Sequence, residues 1–160
     1  MTETRVGIGF DAHAFTPGAP LVLGGVEIPF ERGLAGHSDG DVLTHALIDA
    51  ILGAAGLEDI GAMFESGDPR WRGVSSLELL ARAYAPVRDL GWELGNADCV
   101  LVGEEPRLAP HRGLMRERLA AALDTDELRI AVRATTTDGL GFTGRREGLA
   151  AHAVALLVRR

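Results

Sequence analysis

An acid and an imidazole two residues apart, Asp11 and His13, follow an alternating run of Val6, Ile8 and Phe10. Alternation at period two is a strand pattern, so Asp11 and His13 project from one face. Gly7 and Gly9 share that face and leave room above it. Glycine within a strand marks the close approach of a ligand or another backbone. A second cluster lies in His37-Ser-Asp-Gly-Asp-Val-Leu-Thr-His45. From Val42 onward the pattern is helical and apolar nearly all round, which predicts a buried helix. Asp41, His45 and Asp49 interrupt it at i, i+4 and i+8 and form one polar stripe. Polar groups in such a place are paired or coordinate something.

One carboxylate and two imidazoles make a three-ligand set of the kind zinc prefers, and a catalytic zinc keeps its fourth position open. Each element also has a plainer reading. A lone buried histidine is ordinarily satisfied by protein partners. Asp39 and Asp41 stand where aspartate caps a helix start, and that role is expected of Asp41. Asp49 either orients the His45 imidazole from one turn away or hydrogen-bonds within its own helix.

The elements that must position these groups follow in order. A strand is expected over 5–15, a turn at 16–20, and a small hairpin from 21–23 and 26–28 around Gly24-Gly25. Residues 33–40 read as loop. The helix from 42 to 55 should end at Gly56, a C-terminal cap. Residues 59–64 read as a helical turn and 65–73 as a polar loop. Ser75 and Glu78 have capping-box spacing and open a second helix, with Pro86 inside it and Gly91 beyond it. A strand at 94–102, a connector at 104–110 and a third helix from Pro110 to about residue 123 come next. Leu128, Ile130, Val132 and Ala134 alternate as a strand. Residues 135–146 form a Thr/Gly-rich loop whose hydroxyls and amides suit phosphate, and 149–158 reads as a final strand, with a helix as the alternative. Hairpin strands mixed with helical crossovers imply α+β: a single domain, 1–160, with a mixed β-sheet covered by helices on one face plus a small N-terminal β-hairpin.

The chain has 160 residues and a formal net charge of -7. That charge disfavours nonspecific nucleic-acid binding, whereas a small polyanion remains accessible through metal ions and local amides. No apolar run is long enough for a membrane span, and residues 1–5 pass straight into a strand without a signal-peptide core. The single cysteine, Cys99, sits in an apolar run and reads as a core residue, consistent with a reducing cytoplasm.

At these residues the chain resembles the 2-C-methyl-D-erythritol 2,4-cyclodiphosphate synthase family of non-mevalonate isoprenoid precursor synthesis. The matching motifs are Gly9-Phe-Asp-Ala-His13, Gly24-Gly25-Val26 with Pro29, and His37-Ser-Asp-Gly-Asp41 with His45. Further on come Asp59-Ile-Gly61, Ala134-Thr-Thr-Thr, Gly141-Phe-Thr-Gly-Arg145 and Glu147-Gly148. The likeness runs in order over residues 5–158.

The resemblance implies a metal-dependent lyase that releases CMP. It makes Asp11, His13 and His45 zinc ligands, with a substrate phosphate oxygen in the open position. Asp11, His13, His37 and Ser38 would then contact substrate, and Asp59 and Gly61 would bind the methylerythritol part. Thr135, Thr136 and Thr137 would meet the diphosphate, with His37 and Thr136 as the catalytic pair. Asp138 would hold a second ion, Mg2+ or Mn2+. Gly103, Arg107, Leu108 and Ala109 would form the cytidine pocket. Phe142 and Arg145 carry over as substrate-side contacts and, with Glu147, match residues along a homotrimer axis. Active sites lie between subunits in that family.

The chain departs from the pattern in places. Asp138 stands where Glu is usual and Arg107 where Lys is common, and Phe64-Glu-Ser-Gly-Asp-Pro69 keeps the ends of the usual run but loses its middle, with Asp68 surviving as an implied substrate contact. Two rival readings stay open on the residues alone. One is a zinc phosphoesterase using metal-bound water, with His37 as base. The other is a binding protein whose zinc ties strand to helix.

Overall fold

The computed structural model describes residues 1–160. Strand β1 (Glu3–Pro17) leads into the hairpin β2 (Leu21–Leu23) and β3 (Val26–Ile28), then β4 (Arg32–Leu34) and helix α1 (Val42–Ala55). The short α2 (Ile60–Met63), the long α3 (Ser76–Asp89), β5 (Glu93–Val102) and α4 (Arg112–Ala122) follow. The chain ends with β6 (Ile130–Thr135), α5 (Gly141–Gly144) and β7 (Gly148–Arg159). Five strands make one sheet in the order β4-β1-β7-β5-β6, and β2-β3 stand apart as a two-stranded sheet. Only β5 and β6 run parallel, joined through α4, so the sheet is mixed as expected.

The centre of this arrangement is α1. Of its 14 residues, only His45, Asp49 and Gly53 escape full burial. It lies against β1 and β7 at backbone distance, and the strand glycines are the reason. A Cβ on Gly7 would sit 2.0 Å from the Ala50 carbonyl oxygen, and one on Gly9 would sit 1.8 Å from that of Ala46. The space above the glycine face of β1 therefore belongs to a helix backbone, not to a ligand. The apolar side of β1 faces the other way: Val6, Ile8 and Phe10 are 68%, 73% and 54% exposed.

Asp41 fixes the start of α1. Its carboxylate accepts from Thr44 N and Thr44 Oγ1, and also from Gly24 N and Gly25 N in the β2-β3 turn. One fully buried carboxylate thus caps the helix and anchors the hairpin. Burial pushes its pKa up, and the nearby Asp39 charge adds to this. At the other end Gly56 closes the helix in the left-handed conformation, φ 73°.

Several expectations need correction. Ser75 makes no side-chain cap on α3; Asp39 takes that role by accepting from Ser76 N at 2.9 Å. Glu78 pairs instead with Arg82, one turn along its helix. Leu128 lies in a 3-10 turn before β6 and is 82% exposed, so the alternation there reflects solvent-facing chain rather than strand. A 3-10 turn at Ala109–His111 contains Pro110 and precedes α4. The 33–40 loop opens with the last residues of β4, and the 135–146 loop contains α5.

The contact between β1 and α1 generates a paired prediction. Gly9→Ala should destabilise by about 1–3 kcal/mol or more, because a backbone must move to admit one methyl. Gly113→Ala in α4 meets nothing within 4 Å. It should stabilise by about 0.4–1 kcal/mol through the unfolded chain. Urea midpoints of the two variants check both signs.

Candidate metal centre and its cleft

Where β1 leaves the glycine pair, its next two inward residues reach past the flank of α1. The three donors then converge. His13 Nε2 lies 2.8 Å from Asp11 Oδ2, His45 Nδ1 lies 3.1 Å from the same oxygen, and the two nitrogens are 3.4 Å apart. All three ligand atoms fall within 4.8 Å of one another. The side chains are 26%, 21% and 12% exposed for Asp11, His13 and His45, so the group is sheltered but open on one side.

Three lone-pair donors cannot face each other without a proton or a cation between them. A proton serves in the metal-free state. The hydrogen bond to Asp11 pushes the His13 pKa up, against burial, and the Asp11 charge and the Ala35 backbone assist. Burial pushes Asp11 up, but the hydrogen bond from His13 and the charges of both imidazoles outweigh it and hold Asp11 at about 2. A divalent ion satisfies the same three atoms better, and an N/N/O set suits zinc.

The open side gives onto a cleft of about 170 Å3. His37, Ser38, Gly61, Phe64, Ser66 and Trp71 line it beside the two histidines. His37 Nε2 bonds the Asp68 carbonyl at 2.8 Å, tying the 65–73 loop to the cleft. The Asp68 carboxylate turns to Arg70, whose hydrogen bonds hold its pKa below the usual range. Asp59 caps α2 by accepting from Ala62 N. Asp49 does not orient His45. Its Oδ1 accepts from Ile60 N at 2.8 Å, because α2 folds back over the end of the polar stripe. The far side of His45 is held by Ser38 Oγ at 3.1 Å and Ser76 Oγ at 2.8 Å. Ser76 comes from another helix and is of an unremarkable type, and no spacing in the chain pointed to it.

A second cleft brings Gly103, Arg107 and Leu108 together with Thr135 and Thr136. Ala109 stands just beyond it, in the 3-10 turn. The loop that follows Thr135 is not a free amide cradle. Thr137 N and Gly139 N both donate to Glu104 Oε1 at 3.2 Å, and Asp138 N donates to Thr136 Oγ1. Glu104 falls in the 104–110 connector, and nothing in the spacing of the chain points to this role for it. It binds the two loops into one wall and takes two of the loop's amides, while the Thr135 and Thr137 hydroxyls donate to the Thr136 and Leu140 carbonyls. Thr136 Oγ1 in turn donates to Asp138 Oδ1 at 3.0 Å, with Asp138 in the left-handed region, φ 52°. Asp138 is not part of the Asp11-His13-His45 group. Phe142 and Glu147 border a shallow recess with Ala12 and His13, and Arg145 pairs with Glu147 on the surface.

Fold and site together define an α+β protein with a three-ligand, open-sided metal centre beside a cleft. The comparisons with known proteins make this specific. The YgbB family model matches residues 4–158, and the chain belongs to that family. It is 57% identical over 156 residues to the 2-C-methyl-D-erythritol 2,4-cyclodiphosphate synthase of Moorella thermoacetica, covering 98% of this chain and 96% of that protein. Among solved structures it is similar to the bifunctional IspDF of Campylobacter jejuni, with TM-score 0.96 and 46% identity. That match covers all of this chain and 43% of the longer one. It is also similar to the CDP-bound form of a 2C-methyl-D-erythritol-2,4-cyclodiphosphate synthase. There the TM-score is 0.87 at 40% identity, over 96% of this chain and 99% of that one.

His45→Ala should fold normally yet take up less zinc than the wild type. Metal content after dialysis against zinc, with circular dichroism as the folding control, checks this. Zinc retained at the wild-type level would remove His45 from the ligand set.

Proposed function

We propose that the chain converts 4-diphosphocytidyl-2-C-methyl-D-erythritol 2-phosphate into 2-C-methyl-D-erythritol 2,4-cyclodiphosphate and CMP, in isoprenoid precursor synthesis. The observation that carries the reading is the convergence of Asp11, His13 and His45 beside an open cleft, in a chain of this family. An oxygen of the 2-phosphate forms a bond to the β-phosphorus. The bond from that phosphorus to the bridging oxygen breaks, and the oxygen leaves with CMP. The attacking group is the substrate's own, so the protein needs no nucleophile. Cys99 is unsuited to that role in any case: burial, with the charges of Asp98 and Asp41, pushes its thiol up to about 12.

Bound ions supply positive charge to phosphoryl oxygens and help hold them in line. Asp11, His13 and His45 would hold a zinc ion, and Asp138 would help hold Mg2+ or Mn2+. The protein's own groups then bind and orient. His37 and Ser38 contact phosphate or hydroxyl groups from the cleft wall. Asp59 and Gly61 flank the methylerythritol end, with Asp68 anchoring the loop beside it. Gly103, Arg107, Leu108 and Ala109 take the cytidine, and Thr135, Thr136 and Thr137 take the diphosphate. Phe142 and Arg145 close the substrate from the side. Acceleration in such a site comes from orientation and fixed electrostatics, as in other phosphoryl transfers.

Two features support a homotrimer. The metal centre and the Gly103–Leu108 pocket open as separate clefts within one chain, so pairing them across a subunit boundary would complete a site. The bare side of the sheet also offers Val6, Ile8, Phe10 and Val154 to a second copy. Residues 1–160 share one apolar core and act as a single domain. No helix is long and apolar enough to cross a membrane. A lone buried thiol suits the reducing cytoplasm.

Purified protein with zinc and magnesium should release CMP and a cyclic diphosphate in equal amounts, read by phosphorus NMR. Ring-free phosphate products would instead favour metal-assisted hydrolysis. Asp138→Glu restores the longer acid usual in the family and should leave kcat unchanged or raised. A collapse of kcat would give the shorter carboxylate a role of its own.

A further inference from the structure

We infer that Asp39 and Ser76 set the tautomer of the His45 imidazole, and thereby choose Nδ1 as the atom it offers to a metal ion. Both are positioning residues. The inference rests on the reading of Asp11, His13 and His45 as ligands, and it concerns a chain of hydrogen bonds on the side of His45 turned away from them.

The argument follows the hydrogens. The Asp39 carboxylate is an acceptor only, and three donors reach it. Asp41 N donates to Oδ1 at 3.1 Å, Ser76 N donates to Oδ2 at 2.9 Å, and the Ser76 hydroxyl donates to Oδ1. The Ser76 hydroxyl has one hydrogen, and Asp39 receives it. Toward His45 Nε2, 2.8 Å away, Ser76 Oγ can therefore only accept. That nitrogen must carry the proton. A neutral imidazole has one N–H, so Nδ1 keeps its lone pair, and Nδ1 is the atom facing Asp11 Oδ2 and His13 Nε2. Ser38 Oγ, 3.1 Å from Nε2, accepts as well, and its own hydrogen stays free for the cleft it lines.

The geometry is built, not incidental. Ser76 is fully buried at the first residue of α3. Asp39 caps that helix and reaches the amide of Asp41, the residue that caps α1. The same carboxylate therefore fixes the relative placement of α1 and α3 and the protonation pattern of the ligand carried by α1. Without Ser76 the imidazole could turn its N–H toward the other two donors, where it would oppose a cation.

The test reads the tautomer directly. Long-range nitrogen–proton NMR of metal-free protein, at mildly alkaline pH, should show His45 as the Nε2–H form in the wild type. Ser76→Ala should show a mixture and bind zinc about 10–100-fold more weakly in competition with a chromophoric chelator. Its thermal unfolding should still be cooperative. Asp39→Asn should weaken zinc in the same direction, since an amide can no longer serve both Ser76 donors as a carboxylate does. An Nδ1–H form in the wild type would overturn the inference. So would a folded Ser76→Ala variant with wild-type tautomer and zinc affinity. If Ser76→Ala fails to fold, the wild-type tautomer alone decides. Wild-type protein that binds no zinc would contradict the ligand reading, while the tautomer measurement would still decide the relay.

Discussion

Two missing side chains shape the molecule. Because Gly7 and Gly9 carry no Cβ, the backbone of α1 presses directly onto β1, with the Ala46 and Ala50 carbonyls where methyl groups would otherwise stand. The contact sets the distance between helix and strand to within a fraction of an ångström, since interiors are too closely packed to slide. Everything chemical follows from that distance. Asp11 and His13 continue the glycine face of β1, His45 continues the exposed flank of α1, and their donors meet around one point. A centre built on two rigid elements is held more precisely than one built on loops.

Around this centre, acidic side chains do structural work that their number alone would not reveal. Asp41 ties the hairpin turn to α1, and Asp39 ties α1 to α3. Asp49 holds α2, and Glu104 holds the loop after β6. Each accepts backbone amides that would otherwise be orphaned near helix starts and turns. The chain's negative charge is thus partly spent inside the fold. Asp41 is fully buried, so a polyanionic ligand does not meet it as open repulsive surface, and the positive field such a ligand needs comes from ions.

The parts legible in the sequence were those with local rules. Strand alternation before Asp11, the Gly24-Gly25 hairpin, the apolar run of α1 and its Gly56 terminus all rest on short-range periodicity or on a φ that only glycine adopts easily. The His45 ligand was legible as a polar interruption in a buried helix. Other features were not, because they depend on what a distant element brings. Ser76 is 31 residues from His45, and Glu104 is 33 from Thr137. Their residue types are common on any surface. Asp49 was offered a role beside His45 because both share a helical face; the fold-back of α2 took its carboxylate instead. Leu128 kept period-two spacing without lying in a strand, which shows how little two or three alternating positions decide at an element's edge.

The central claim is that Asp11, His13 and His45 grip a single cation. Anomalous diffraction at the zinc edge, on crystals grown with zinc, tests it most directly. The account predicts one strong peak per chain at bonding distance from Asp11 Oδ2, His13 Nε2 and His45 Nδ1, with one coordination position facing the cleft. A peak elsewhere, or coordination that leaves out His45, would contradict it.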